Sequence, residues 1–325
     1  MITDKFGRDI KYLRISVTDR CNFRCKYCMP RQTFEHIACE ELLRYEEILF
    51  FTEVCASLGV DKVRVTGGEP LVRKDLPYFL AKLYAIEGIN EVTLTTNASL
   101  LPLYAKEIFN SGVKRLNISL DSLKSDRFRF VSGGIDNTNT MRGIEEAIQL
   151  GFAPIKVNAV AIRGFNDDEI LDFCEFAAEK NVIVRFIEFM PIGNSADWKK
   201  DNIIYGAEIL KIITDRYEAE PLPHKAGAGP AKNYKLSNGA TIGIITPMSE
   251  HFCNSCDKIR LTSDGKIRPC LLSDSEIDIT DAASRRDTNA LKELLIRSLS
   301  LKEAEHSIKS DSKEKFSRTM SKIGG

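Results

Sequence analysis

The chain has 325 residues, 43% of them hydrophobic, which is enough for one large α/β domain with an appendage or for two ordinary domains. Lys+Arg and Asp+Glu both number 46, so no net field draws the protein toward nucleic acid or a membrane, although a local basic pocket for a small anion remains compatible with that balance. Residues 1–11 are polar and charged and no apolar run approaches spanning length, so a soluble, cytoplasmic protein without a signal peptide is expected.

The first predicted strand is YLRISVT at 12–18. The loop after it carries Cys21, Cys25 and Cys28 in the spacing C-x3-C-x2-C. Three thiolates on a four-iron cluster leave one iron without a protein ligand. An open metal position is where a cosubstrate binds, and S-adenosylmethionine can fill it through its amino and carboxylate groups. Zinc completed by His36 is the alternative, though this spacing is unusual for a zinc knuckle. Tyr27 precedes the third cysteine, where an aromatic ring can face adenine.

Five times a helical stretch then ends in Gly or Asn and a β-rich run follows: at Gly59, Gly88, Gly112, Gly151 and Asn181. Gly or Asn just past a helix is the left-handed C-terminal cap, and runs rich in Val, Ile, Leu and Thr read as buried parallel strands. The helix beginning at Leu76 shows the matching apolar spacing, with Phe79, Leu80, Leu83 and Ile86. Six βα units predict either a doubly wound sheet or an open, partial (β/α) barrel. Either way chemistry collects at the strands' C-terminal ends, which here hold Thr66-Gly67-Gly68-Glu69-Pro70, Thr95-Thr96-Asn97, Ser119-Leu120-Asp121 and Glu188-Phe189-Met190.

Pro and Gly interrupt all periodicity at 219–233, which sets the expected boundary between a barrel domain, 1–220, and a small C-terminal α+β domain, 221–325. Beyond it, 234–247 and 258–272 read as hairpins turning at Asn238-Gly239 and Asp264-Gly265, and 288–302 as a helix. The Ser/Lys-rich stretch from about 307 to 323 reads as mobile in isolation.

The chain has nine cysteines, an odd count that argues for metal or catalytic use over a disulfide framework. Cys55 and Cys174 sit in apolar helical stretches as buried thiols, and Cys39 carries no assigned role. Cys253, Cys256 and Cys270 form a second triplet, C-x2-C-x13-C, with His251 the neighbouring candidate for a fourth zinc ligand. A second cluster with an open iron is the sharper reading. Lys258 and Arg260 alternate along a strand, so both face one side, and cations there suit an anionic substrate.

Cys21 to Cys28 with Tyr27, and GGEP at 67–70, resemble the radical S-adenosylmethionine superfamily over roughly residues 10–220. With the second triplet and the terminal Gly324-Gly325, the chain closely resembles the GTP 3′,8-cyclase family, which opens molybdenum cofactor biosynthesis. The resemblance includes LRISVTDRCNFRCKYCMP at 13–30, RVTGGEPLVRKDL at 64–76, LTTN at 94–97, NISLDS at 117–122, RFIEFMPIGN at 185–194 and the closing SKIGG.

That resemblance implies a partial (β/α)6 TIM-like barrel, two 4Fe-4S clusters held by the two triplets, and S-adenosyl-L-methionine as cofactor. It implies that the first cluster cleaves S-adenosylmethionine and the second holds GTP through its guanine. The deoxyadenosyl radical takes hydrogen from the ribose 3′ carbon, and the carbon radical attacks guanine carbon 8. Tyr27, Gly68, Ser119 and Met190 match positions contacting S-adenosylmethionine. Arg14, Arg64, Thr95, Lys156 and Lys258-Ile259-Arg260 match those contacting GTP, and Arg185 a further basic residue of the active-site region. The Gly324-Gly325 tail matches one that reaches toward the active site.

The implied partners are GTP, a separate cyclic pyranopterin monophosphate synthase that receives the product, and an external one-electron reductant. A homodimer stays open, and no nucleic acid or membrane partner is expected. Two departures stand out: Lys258 where the family more often has Arg, and Ala98 where Gly is usual. The alternative is a radical enzyme that modifies a peptide and uses the second cluster as an electron relay.

Overall fold

The computed structural model describes residues 1–29, 35–190, 200–223, 229–305 and 318–324. Six strands follow the predicted repeat: β1 (Tyr12–Ser16), β2 (Lys62–Thr66), β3 (Glu91–Thr96), β4 (Arg115–Ser119), β5 (Ile155–Ala161) and β6 (Ile183–Glu188). Each pairs in parallel with the next. Between them run α1 (Tyr45–Ser57), α2 (Leu76–Tyr84), α3 (Leu101–Asn110), α4 (Ser125–Ser132), α5 (Thr138–Gln149) and α6 (Ile170–Glu179). The predicted caps Gly59, Gly88, Gly112, Gly151 and Asn181 all take positive φ, from 52° to 102°. On α2 the residues Leu76, Phe79, Leu80 and Leu83 are buried, as their spacing requires.

The C-terminal segment contributes α7 (Gly206–Thr214), β7 (Ala219–Pro221), β8 (Lys232–Leu236), β9 (Thr241–Ile245), β10 (Lys258–Leu261), β11 (Lys266–Arg268), β12 (Ile277–Asp278), α8 (Thr280–Ser284), α9 (Thr288–Ser300) and α10 (Met320–Ile323). The hairpins β8–β9 and β10–β11 form as predicted, and α9 matches the predicted helix. Their placement goes beyond the sequence reading. Strand β9 joins β6 in parallel and β10 joins β1 in parallel, so the C-terminal hairpins extend the barrel sheet at both edges. The result is one twelve-stranded sheet in the order β12-β11-β10-β1-β2-β3-β4-β5-β6-β9-β8-β7, an open partial barrel. Among the described residues no helix is long and apolar enough to cross a membrane.

Strand alternation divides the barrel into two layers. Leu13, Ile15, Val63, Val65, Leu94, Leu116, Val157, Val184 and Ile259 are buried against the helices. The other face, Tyr12, Arg14, Arg64, Thr93, Asn117, Lys156, Asn158, Arg185 and Arg260, turns inward. Cross-strand register lines these residues up: Arg260 with Arg14, Arg14 with Arg64, and Arg64 with Thr93. Asn117 lies beside Lys156, and Asn158 beside Arg185.

The glycines of the loop after β2 serve close approach. Gly68 N donates to Thr18 O at 2.7 Å and Glu69 N to Arg20 O at 2.8 Å, which docks this loop on the cysteine loop. A Cβ on Gly68 would lie 2.3 Å from Arg20 O, a backbone atom that cannot swing aside. Gly68→Ala is therefore expected to destabilise the fold by about 1–3 kcal/mol and to loosen the first cysteine loop. Melting temperature and iron content measured together check this; an unchanged value of both contradicts it.

The tail divides. Residues 306–317, part of the stretch read as mobile, lie outside the described residues. Residues 318–324 are placed, held by contacts with the folded barrel that the isolated segment lacks. Arg318 grips Asp264 through two hydrogen bonds of 2.9 and 2.8 Å and reaches Glu276 at 2.8 Å. Ser321 and Ile323 are buried. The polar composition conceals this because the anchoring is ionic and long-range.

Candidate active site

Cys21, Cys25 and Cys28 sit on the loop after β1, free and half-buried. Cys28 N and Met29 N both donate to Cys25 O at 2.9 Å, which turns the loop tightly. Arg24 N and Lys26 N donate to Ser132 O and Val131 O at 2.8 and 3.0 Å, strapping it to α4. Burial pushes the Cys21 thiol up to about 11 and Cys28 to about 12, and Cys25 rises well above its ordinary value for the same reason. Asp121 beside Cys25 and Cys28, and Glu69 beside Cys21, push in the same direction. Such thiols release protons when a metal takes them. His36 is engaged with Asp19 at 3.3 Å and Arg24 at 3.4 Å. Three thiols on one tight loop instead fit a cluster, where each cysteine takes its own iron.

The residues matched to S-adenosylmethionine surround this loop. Tyr27 donates its hydroxyl to Asp121 at 2.7 Å and packs in the same apolar group as Met190. Burial raises Asp121 to about 6 and Tyr27 well above its ordinary value. Ser119 stands half-exposed at the end of β4. Glu69 is buried and raised by burial to about 7. It accepts from Thr96 Oγ1 at 2.6 Å, Asn97 N at 2.6 Å and Leu71 N at 3.1 Å, tying the GGEP loop to the end of β3. The neighbouring Ala98 holds φ 59°, a left-handed conformation that glycine takes without strain. Its substitution therefore acts on backbone strain, beyond the loop stiffening the sequence suggests.

Inside the barrel, cations crowd. Burial first, then Arg260 and Arg64, holds Arg14 well below its ordinary value. Burial, with Arg185, Arg115 and Arg64 nearby, brings Lys156 down to about 8. Arg185 falls to about 9 by burial and Arg64, and Arg260 to about 10 chiefly by burial. Arg185 is held by Asn158 at 2.9 Å and Asn117 at 2.5 Å, two neutral acceptors that leave its charge uncancelled. Thr95 Oγ1 and Thr66 Oγ1 are buried with no hydrogen-bond partner among the described residues. Mutually repelling cations beside orphaned hydroxyls make a receptor for a polyanion.

Lys258 is drawn to Asp257 at 2.6 Å and lies 5.6 Å from the Tyr12 ring, with the Arg64 guanidinium 5.4 Å from that ring. The Ile259 side chain is buried in the helix-facing layer beside Leu13, so a ligand can meet only its backbone. Tyr12, Asn117 and Asn158 escaped the sequence reading. Their place two residues from Arg14, Ser119 and Lys156 on the same strand faces was the available signal.

The second triplet lines a small cleft together with Arg8, Leu272, Lys302, Glu303 and Glu305. Arg8 donates to Cys253 O at 2.7 Å, so the chain's N-terminal hook braces this loop. Buried Glu188, at the end of β6, accepts from Gly206 N, Met248 N and Ser249 N at 2.7, 2.8 and 2.9 Å and fixes the approach to Cys253. Although burial pushes Cys256 up, the Lys302 and Lys258 ammoniums hold it below the usual thiol value. His251 is exposed.

Between the triplets runs the tail. The Ser321 backbone N–H faces the Cys28 thiol and acts to lower it, against its burial, and Met320 packs in the group that holds Tyr27, Met190 and Cys270. The Gly324 carbonyl accepts from Arg260 at 2.9 Å and from Arg14 at 3.2 Å. Gly325 lies outside the described residues.

A partial barrel with a three-cysteine loop after its first strand and a GGEP loop after its second defines a radical S-adenosylmethionine protein. Residues 15–177 match the Radical SAM superfamily, and 182–308 match Molybdenum Cofactor Synthesis C. Relatives named GTP 3',8-cyclase are 46% identical over 99% of both chains in Moorella thermoacetica and 44% identical over 99% of both in Alkaliphilus oremlandii. The chain belongs to the GTP 3',8-cyclase family. The fold is shared with Streptococcus suis SuiB bound to S-adenosylmethionine, at TM-score 0.61 and 15% identity, over 87% of this chain and 65% of that one. It is shared equally with anSMEcpe with bound AdoMet, at TM-score 0.61 and 16% identity, over 87% and 82%.

Proposed function

We propose that this chain converts GTP to (8S)-3′,8-cyclo-7,8-dihydroguanosine 5′-triphosphate, the first step of molybdenum cofactor biosynthesis. The observation that carries the reading is the crowd of buried, mutually repelling cations lining the inside of the barrel, Arg14, Arg64, Lys156, Arg185 and Arg260, in a chain of net charge zero that also carries two cysteine triplets. Cys21, Cys25 and Cys28 hold the first 4Fe-4S cluster, and Cys253, Cys256 and Cys270 the second. When bound, the first cluster and S-adenosylmethionine supply a 5′-deoxyadenosyl radical. Tyr27, Gly68, Ser119 and Met190 position S-adenosylmethionine. Arg14, Arg64, Thr95, Lys156, Lys258, the Ile259 backbone and Arg260 bind GTP, and the buried charge of Arg185 stabilises negative charge nearby. The barrel wall excludes water from the ribose while hydrogen is removed. The reductant is external, the product leaves to a separate synthase, and the cytoplasm keeps the cysteines reduced.

The direct test is anaerobic reconstitution followed by incubation with GTP, S-adenosylmethionine and dithionite. Conversion of GTP is expected; modification of a peptide with GTP left intact would overturn the reading. Iron is expected at about eight atoms per chain, four in each site. A fully reconstituted sample holding about four contradicts the two-cluster assignment.

Lys156 gives the site a pH dependence. Its charge is present below about 8 and lost above it. A triphosphate binds the ammonium form, so affinity for GTP should fall as pH rises through 8, by about tenfold one unit above that value. Lys156→Met should weaken binding at pH 7 and flatten the profile. Equilibrium binding of GTP from pH 7 to 9 checks this, and an unchanged slope in the variant contradicts it.

A further inference from the structure

Lys302 lies just past the end of α9, in a stretch the sequence marks with no motif, yet it is 3% exposed. Its Nζ lies 2.7 Å from Pro269 O, 2.9 Å from Lys258 O and 3.6 Å from Cys256 Sγ. These are three acceptors and no donor. An ammonium has three N–H bonds to give and a neutral amine two, so the surroundings fit the charged form. A buried charge needs a counter-charge. The carboxylate of Asp257 is turned to Lys258 at 2.6 Å, and Glu276 is drawn to Arg268 and Arg318. Glu303 and Glu305 line the same cleft but lie beyond ion-pair distance of Lys302, so among the described residues the nearest group able to carry a counter-charge is the sulfur of Cys256. Both carbonyls it grips belong to cysteine-bearing segments: Lys258 is two residues after Cys256, and Pro269 immediately precedes Cys270.

The first triplet is surrounded differently. Cys21 Sγ receives neutral donors, Phe23 N at 3.3 Å and Asn97 Nδ2 at 3.9 Å, and the Arg24 guanidinium near it is outweighed by the Glu69 carboxylate. The charged neighbours of Cys25 and Cys28 include the carboxylate of Asp121. Hydrogen bonds to sulfur and nearby charge set cluster potentials, and a cation stabilises the reduced, more negative state.

We propose that Lys302 is the positioning residue of the second iron–sulfur site, stapling its two cysteine segments together and holding that cluster at a higher reduction potential than the first. The more strongly reducing electron then resides at the first triplet, where the sulfonium is cleaved. This inference rests on reading Cys253, Cys256 and Cys270 as ligands of a second cluster.

The test uses full-length, anaerobically reconstituted protein and redox titrations followed by electron paramagnetic resonance. Replacing Cys21, Cys25 and Cys28 together by alanine isolates the second cluster, and replacing Cys253, Cys256 and Cys270 isolates the first. The second is expected at the higher potential. In the isolated second cluster, Lys302→Gln should lower the ratio of reduced to oxidised cluster about tenfold at the unsubstituted midpoint, which is 59 mV for one electron. Lys302→Arg, which keeps the cation, should leave that ratio within about twofold. A second cluster at or below the potential of the first overturns the proposal, and so does Lys302→Gln with iron retained and potential unmoved. If Lys302→Gln fails to load, the order of the two potentials in the unsubstituted clusters decides alone. About four irons in the protein with all nine cysteines would instead remove the second cluster itself, an outcome distinct from a wrong order of potentials.

Discussion

Alanine at Cys21, Cys25 or Cys28 is expected to abolish S-adenosylmethionine cleavage, by more than about a thousandfold, while Cys253→Ala retains uncoupled cleavage and loses GTP conversion. The division follows from placement. The first triplet is wrapped by Tyr27, the GGEP loop and Met190, the residues matched to the cosubstrate. The second lines a separate cleft with Arg8 and Lys302, next to the Lys258–Leu261 strand and its cations. Removing one thiol of the first set removes the source of the electron. Removing one of the second disturbs the substrate's seat and leaves the electron source intact. The measurement is 5′-deoxyadenosine formed beside GTP consumed for each variant. Equal loss of cleavage in both classes contradicts this division of labour.

Gly324→Ala is expected to lower GTP conversion by about a hundredfold with iron content unchanged and melting temperature lowered by only a few degrees, and deletion of Gly324-Gly325 to lower conversion as much. Gly324 holds φ 67°, and an added Cβ would lie 2.5 Å from Thr66 Oγ1. A left-handed alanine costs about 1–2 kcal/mol, and the contact moves the tip as well. The Gly324 carbonyl joins Arg14 to Arg260, so a displaced tip releases two substrate-side guanidiniums at once. A misplacement of about 1 Å is enough for a loss of this size. Folding is spared because the tail is anchored upstream, at Arg318 on Asp264 and Glu276 and through buried Ile323. A C-terminal extension should harm turnover as much as the deletion. If the deletion variant converts GTP at the full rate, the tip has no part in the chemistry.

What the sequence made legible was local. The caps at Gly59, Gly88, Gly112, Gly151 and Asn181 and the turns at Gly239 and Gly265 each declare themselves within a few residues, and all take positive φ. Cysteine spacing is local too, so both triplets could be read. What stayed hidden depends on partners far along the chain. Nothing near residues 241–245 or 258–261 says that these strands will flank β6 and β1. Lys302 looks like any surface lysine until segments 33, 44 and 46 residues away supply its acceptors. Tyr12 and Asn117 are ordinary strand residues until register sets them among the arginines. The tail is another such case: its polar residues read as mobile in isolation, and Arg318 answers two carboxylates that only the folded barrel brings together.

GTP carrying deuterium at the ribose 3′ carbon tests the central claim most directly. Incubated with the reconstituted protein, S-adenosylmethionine and dithionite, it should yield 5′-deoxyadenosine bearing one deuterium, in step with loss of GTP. Deuterium-free 5′-deoxyadenosine, with the labelled GTP recovered intact, would contradict the account.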